Sequence, residues 1–173
     1  TGIHGFVGSN LVSSLKEEYS IYGIDIVSPV KEGIVKTFSW KDLEEDNLPD
    51  VDMIIHLAGK AHDVKNQSAA DSYFQINTEL TKTIYNYFLK STAKKFIFFS
   101  SVKAAADFVP GDILTEDIKP MPIGPYGESK IKAEEYILSN LPTEDKRAYI
   151  LRPCMIHGPG NKGNLNLLYG LLS

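Results

Sequence analysis

The chain has 173 residues, enough for one domain and short for two. Apolar residues make up 43% and charged ones 23%, the balance of an ordinary folded domain, which sets aside disorder, collagen and low-complexity repeats. With 18 basic and 22 acidic residues the net charge is −4 and there is no basic tract, so nucleic acid is not an expected partner. No apolar run approaches the roughly 18 residues of a membrane span, so no membrane partner is expected either. A single cysteine, Cys154, excludes an internal disulfide framework and suits a reducing, cytoplasmic setting.

The elements alternate. Residues 2–8 read as a turn and 9–18 as a helix, with Leu11, Val12 and Leu15 on one face. Residues 20–27 form a short β-rich run, 35–38 suggest another strand, and 41–48 an acidic helical turn or two. A buried strand over 52–57 ends at Ala58-Gly59. Residues 69–89 carry helical periodicity in Phe74, Ile76, Leu80, Ile84 and Phe88. The continuous apolar run 95–100 is a strand of the parallel-sheet kind. Four prolines make 102–125 mostly loop, 126–140 is helical, and Arg147–Leu151 is a strand before Arg152-Pro153. Strands separated by helices predict an α/β fold, a doubly wound parallel sheet with right-handed crossovers.

Gly2, Gly5 and Gly8 recur with two residues between them, in the form TGxxGxxG. Gly2 permits a tight turn, Gly5 lets backbone approach a pyrophosphate, and Gly8 lets a helix lie close on a strand. A helix starting there points N–H groups and its positive end at phosphates. Three glycines in a turn are weak by themselves. The acidic residue expected about 20 positions on is Asp25, whose carboxylate can accept two ribose hydroxyls and would repel a 2′-phosphate. No arginine stands beside it, which favours NAD over NADP. The plain alternative for Asp25 is a solvated charge at a strand end.

Tyr126 and Lys130 lie one turn apart on one helix face. A lysine below a tyrosine stabilises phenolate and lowers the tyrosine from about 10 toward working pH. Such a phenolate can take a proton from a sugar hydroxyl while that carbon is oxidised. Alone, this spacing usually marks a solvated helix face. Here Ser101 ends an apolar strand 25 residues earlier, where doubly wound sheets place ligands.

With these residues in view, the chain resembles the extended short-chain dehydrogenase/reductase family, in its NAD-dependent, UDP-glucose 4-epimerase-like epimerase/dehydratase branch, across essentially all its length. The resemblance rests on TGIHGFVG, Asp25, HLAGKA from His56, Asn77, FIFFSS, YGESK and LRPCMIHGPG. It implies a Rossmann domain over 1–173, belonging to a longer protein and short of its first strand and most of a C-terminal substrate domain. Residues 161–173 would then start the substrate-binding part. It implies Tyr126 as acid/base, Lys130 as its electrostatic helper and ribose anchor, and Ser101 as the oxygen-positioning hydroxyl. Phe6 and Val7 join the three glycines and Asp25 around the NAD. Leu57, Ala58 and Gly59 would pass beside it, Asn77 would contact it, and Pro153 would flank the nicotinamide.

Dehydratases of this branch carry a carboxylate just after the catalytic hydroxyl residue, whereas this chain has Ser101-Val102-Lys103-Ala104. That favours chemistry confined to C4: a nucleotide-sugar 4-epimerase acting on a UDP-hexose or UDP-N-acetylhexosamine, or a 4-keto reductase of polysaccharide assembly. A non-catalytic NAD-sensing module is the remaining class, and it would need no acid/base set. Lys103 is either a substrate contact or a lysine snorkelling from its loop. Asn164 is a further candidate substrate contact. His4, His56, His62 and His157 are scattered, so no metal site is expected, and His56 reads as a satisfied core residue. Cys154 reads as a small packing residue. The helices over 69–89 and 126–140 are candidates for a homodimer seam.

Overall fold

The computed structural model describes residues 1–27, 31–60, 69–109 and 111–158. Helix α1, Phe6–Leu15, starts three residues earlier than its apolar spacing predicts. Gly5 is the cause: it takes an extended conformation as N-cap, its nitrogen bonds Gly2 O at 3.1 Å, and its carbonyl already accepts Ser9 N at 2.9 Å. The chain thus passes from tight turn to helix with no linker. Val12 and Gly8 are the residues α1 buries.

Strands β1, Tyr22–Ile24, and β2, Lys36–Phe38, pair in parallel. Both are shorter than the β-rich runs around them, and Ile26 and Val27 are exposed. Helix α2, Trp40–Glu44, begins with a capping box in which Ser39 and Asp42 bond each other's backbone nitrogen. Strands β3, Met53–His56, β4, Lys95–Phe99, and β5, Arg147–Leu151, form a second parallel sheet with β4 in the middle. The last strand has the predicted bounds.

Among the described residues the parallel strands therefore pair as β1-β2 and β3-β4-β5, the parallel α/β arrangement expected. The reason is visible in the hydrogen bonds. Thr1 N donates to Ile55 O of β3 at 2.7 Å, and Gly2 N donates to Ile24 O of β1 at 2.9 Å. Two residues leading into a turn can tie the two edges at one end but cannot form a ladder along them.

The long helical run over 69–89 is a composite: α3, Ala70–Tyr73, a π-helical turn, Phe74–Glu79, and α4, Leu80–Lys90. The wider turn breaks the expected apolar stripe. Ile76 turns partly outward, while Asn77, Thr78 and Thr81 are buried in its place. Helix α5, Gly124–Ser139, takes Pro125 into its first turn, where a missing N–H costs nothing. The core gathers Ile84, Tyr85 and Phe88 of α4, Phe96 and Phe98 of β4, and Ala133 and Ile137 of α5. Tyr85 meets Phe96 edge-on at 5.1 Å between centroids. Lys146, 8% exposed, closes the end of α4 by donating to the carbonyls of Phe88, Leu89 and Ser91. Among the described residues no helix is long and apolar enough to cross a membrane.

Candidate active site

Ser101 lies just beyond β4 and is 6% exposed. Its oxygen accepts Lys103 N at 3.2 Å, which starts the short 3-10 turn Val102–Ala104. Tyr126 is in the first turn of α5, with its phenol near enough to the Ser101 hydroxyl for that group to favour the phenolate. The ring of Tyr73 meets it edge-on at 6.2 Å. A close approach makes this possible: at Gly127 a Cβ would overlap the Lys103 carbonyl, so only glycine lets α5 sit against the turn after Ser101.

Lys130, one turn along α5, is 5% exposed and donates to Phe99 O at 2.9 Å, over the Phe98 ring. Burial lowers its ammonium to about 8, and the carboxylate of Glu134 offsets part of that. The lysine therefore still carries charge at neutral pH. Tyr126 differs from the sequence expectation. It is pushed up from its ordinary value by burial, with the Ser101 hydroxyl pulling it partly back and Tyr73 adding to the rise. Desolvation of a phenolate outweighs the help available, because Lys130 aims its ammonium at the Phe99 carbonyl.

The glycine turn forms a second wall. Gly2 adopts φ +71° with its α-carbon face against the backbone of Leu57 and Ala58, and a Cβ on Gly8 would overlap the Gly2 carbonyl. Gly5 is exposed at the start of α1, ahead of the first-turn residues Phe6, Val7 and Gly8. Asp25 directly follows β1, and its two oxygens accept His4 N at 2.9 Å and Ile26 N at 2.7 Å. Leu57, Ala58 and Gly59 leave β3, with Ala58 N donating to Thr1 Oγ1. A Cβ at Gly59 would stand 3.0 Å from Asn77 Oδ1 and 3.2 Å from Lys130 Nζ, so a larger residue there would press on both side chains. Pro153 O accepts Val102 N at 3.1 Å, joining the ends of β5 and β4. An exposed glycine at a helix start, with a carboxylate beside it and three strand ends converging, fits a dinucleotide.

Three of the singled-out residues have surroundings that the sequence does not announce. Asn77 is fully buried. Its oxygen accepts Lys60 N at 2.7 Å, and its amide donates to Lys60 O and to Ser129 Oγ. It thereby braces the Gly59-Lys60 turn, the segment expected to pass beside the cofactor. Lys103 does not snorkel from its loop: it is ion-paired with Asp107, whose other oxygen accepts Ile123 N. Cys154 is exposed, so it is not a packing residue. Asn164 lies outside the described residues, as do Ala61, His62 and the stretch from residue 159 onward.

His56 is the satisfied core residue the sequence implies, while its partners and a second buried polar array escape sequence reading. His56, fully buried, bonds Thr1 Oγ1 through Nδ1 at 2.8 Å and Thr81 Oγ1 through Nε2 at 2.9 Å. Thr81 gives its own proton to Asn77 O, which assigns the ring proton to Nε2. Burial holds His56 well below its usual range. The second array is Glu134 with Ser100 and Arg152. Its one sequence signal is a carboxylate at i+4 from Lys130 among apolar helix residues.

This fold and site define a dinucleotide-binding α/β enzyme framework with a serine, a tyrosine and a lysine at the strand ends. The family model described as "NAD dependent epimerase/dehydratase family" matches residues 1–170. The chain belongs to that family, as its sequence resemblance implied. It is 31% identical to a UDP-glucose 4-epimerase of Vibrio cholerae over 188 residues, covering 100% of this chain and 56% of that protein. It is 28% identical to a GDP-6-deoxy-D-mannose reductase of Pseudomonas aeruginosa, covering 94% of this chain and 53% of the relative. The chain thus spans about half the length of these curated relatives. Among solved structures, MoeE5 in complex with UDP-glucose and NAD superposes with a TM-score of 0.77 at 25% identity, covering 93% of this chain and 55% of MoeE5. RMD from Pseudomonas aeruginosa, complexed with NADPH, gives 0.69 at 27% identity, with 94% and 55% coverage.

Proposed function

We propose that the protein is an NAD-dependent nucleotide-sugar 4-epimerase acting on a UDP-hexose or UDP-N-acetylhexosamine. The observation that carries this is the meeting of Ser101, Tyr126 and a charged Lys130 at the end of β4, beside the Gly2–Gly8 turn and Asp25. Gly2, Gly5, Phe6, Val7 and Gly8 would hold the pyrophosphate, Asp25 the adenosine ribose, and Lys130 the second ribose. NAD, when bound, supplies a two-electron acceptor and donor.

Tyr126 takes the proton of the C4 hydroxyl and later returns it. Ser101 holds the same oxygen and keeps it in line with the phenol. Lys130 would counter the burial that disfavours the phenolate by turning its ammonium from the Phe99 carbonyl toward Tyr126. The turn after Ser101 has Lys103 where an elimination would want a base, which limits the chemistry to C4. The runner-up, a 4-keto sugar reductase, draws support from the reductase relative and the NADPH-complexed neighbour.

The test incubates the whole protein with UDP-sugars and no added cofactor. Interconversion of C4 epimers without net reduced cofactor supports the epimerase. Strict dependence on added NAD(P)H and a 4-keto substrate assigns the reductase instead. A homodimer through the 69–89 and 126–140 helices belongs to the same proposal, and sedimentation as a monomer at micromolar concentration rejects it.

A further inference from the structure

Glu134 is the most deeply buried carboxylate among the described residues that carries a full set of partners. It is 1% exposed, yet it lies one turn beyond Lys130 on the helix that presents Tyr126. Its Oε1 accepts the Ser100 hydroxyl and, at 3.1 Å, Arg152 Nε. Its Oε2 accepts Arg152 Nε at 3.0 Å and Nη2 at 2.5 Å. Both side-chain partners are immediate neighbours of site residues: Ser100 precedes Ser101, and Arg152 precedes Pro153.

A carboxylate facing a guanidinium fork fixes direction as well as distance, because both planes must align. Here the fork comes from the end of β5, the hydroxyl from the end of β4, and the carboxylate from α5. The strand ends are also joined by Ser100 N to Leu151 O at 2.8 Å and Val102 N to Pro153 O at 3.1 Å. Those backbone bonds hold β4 to β5, and Lys130 on the Phe99 carbonyl holds α5 to the end of β4. Among the described residues, the Glu134 side chain is the one whose hydrogen bonds tie the helix to both strand ends at once.

We infer that Glu134 is a positioning residue: by clamping Ser100 and Arg152 together it sets where Ser101 and Pro153 stand relative to Tyr126 and Lys130. This rests on the functional reading above for the importance of that geometry, though not for its existence. A buried ion pair is by itself weak support for stability, since well-fitted hydrocarbon often replaces one at no cost. That separates positioning from stabilisation.

The test is the double variant Glu134→Leu with Arg152→Met in the whole protein, beside Glu134→Gln alone, which keeps an acceptor for Ser100 and covers the case of a double variant that does not fold. Melting, NAD affinity by calorimetry and amide exchange are measured. The double variant is expected to melt within a few degrees of the parent while binding NAD at least fivefold more weakly. The Ser100 and Val102 amides should exchange at least tenfold faster, with Ile97 inside β4 unchanged, and Glu134→Gln should show the same local pattern more weakly. Parent-like exchange at Ser100 and Val102 in either folded variant overturns the inference. A parent that binds no NAD counts against the functional reading alone, and the exchange result still decides the clamp.

Discussion

The glycine-turn wall and the Ser101–Tyr126–Lys130 wall are held by different means. On the first, position comes from missing atoms: Gly8 and Gly2 touch backbone to backbone, and the β1-β2 pair meets the rest through Thr1 and Gly2. On the second, position comes from buried polar groups: Lys130 on the Phe99 carbonyl, Thr78 Oγ1 on the Ser129 carbonyl at 2.8 Å, and Glu134 on Arg152. The first wall should therefore fail when volume is added, and the second when a polar atom is removed. A pyrophosphate needs open backbone donors, so side chains would obstruct it. Proton transfer needs fixed polar atoms, and fixing them takes partners that water cannot replace.

The largest effect should come from the chemical wall. Tyr126→Phe is expected to lower turnover by about 100- to 10,000-fold, the range for losing an acid/base group, while NAD binding persists. Steady-state rates with calorimetry check this, and retained turnover would assign the proton to another group. On the other wall, Gly8→Val should cost about 1–3 kcal/mol, because a Cβ has nowhere to go beside the Gly2 carbonyl. Urea unfolding reads it, and a neutral result would show that α1 can shift away from the turn.

Asp25→Ala keeps the turn but removes the carboxylate that orders His4 and Ile26. NAD affinity should fall about tenfold, as for a hydrogen bond to a charged group, and discrimination against NADP should relax. An unchanged preference would remove Asp25 from the ribose. A smaller effect concerns the seam between the walls, where His56 joins Thr1 to Thr81. Its folded value lies well below 6.5 through burial, so the unfolded chain binds the proton first as pH falls. Stability is full above about pH 6.5 and should drop by about 1 kcal/mol between pH 6.5 and 5.5 on this account. His56→Gln should flatten that slope in urea titrations at the two pH values. Smallest of all, Ser39→Ala removes the α2 cap far from both walls, costing about 0.5–1 kcal/mol with no change in NAD affinity.

Much of the site was legible because it is local. Gly2 to Gly8, Asp25 and the Tyr126–Lys130 spacing are chain-neighbour patterns whose meaning depends on one turn or one helix face. Asn77 is legible only by resemblance, and its place under the Gly59-Lys60 turn follows from a π-helical turn that the apolar period does not announce. Lys103 found its partner four residues on, in a loop whose prolines gave no period to follow.

The sequence by itself determined the alternation of strands and helices, the glycine turn and the serine–tyrosine–lysine set. Apolar period and glycine placement act over a few residues and need no knowledge of what lies opposite. The packing of distant segments decides that Tyr126 is pushed upward by burial and that Glu134 faces Arg152. Each of these depends on which groups are excluded from water together, and burial is a property of the packed molecule rather than of any stretch of chain.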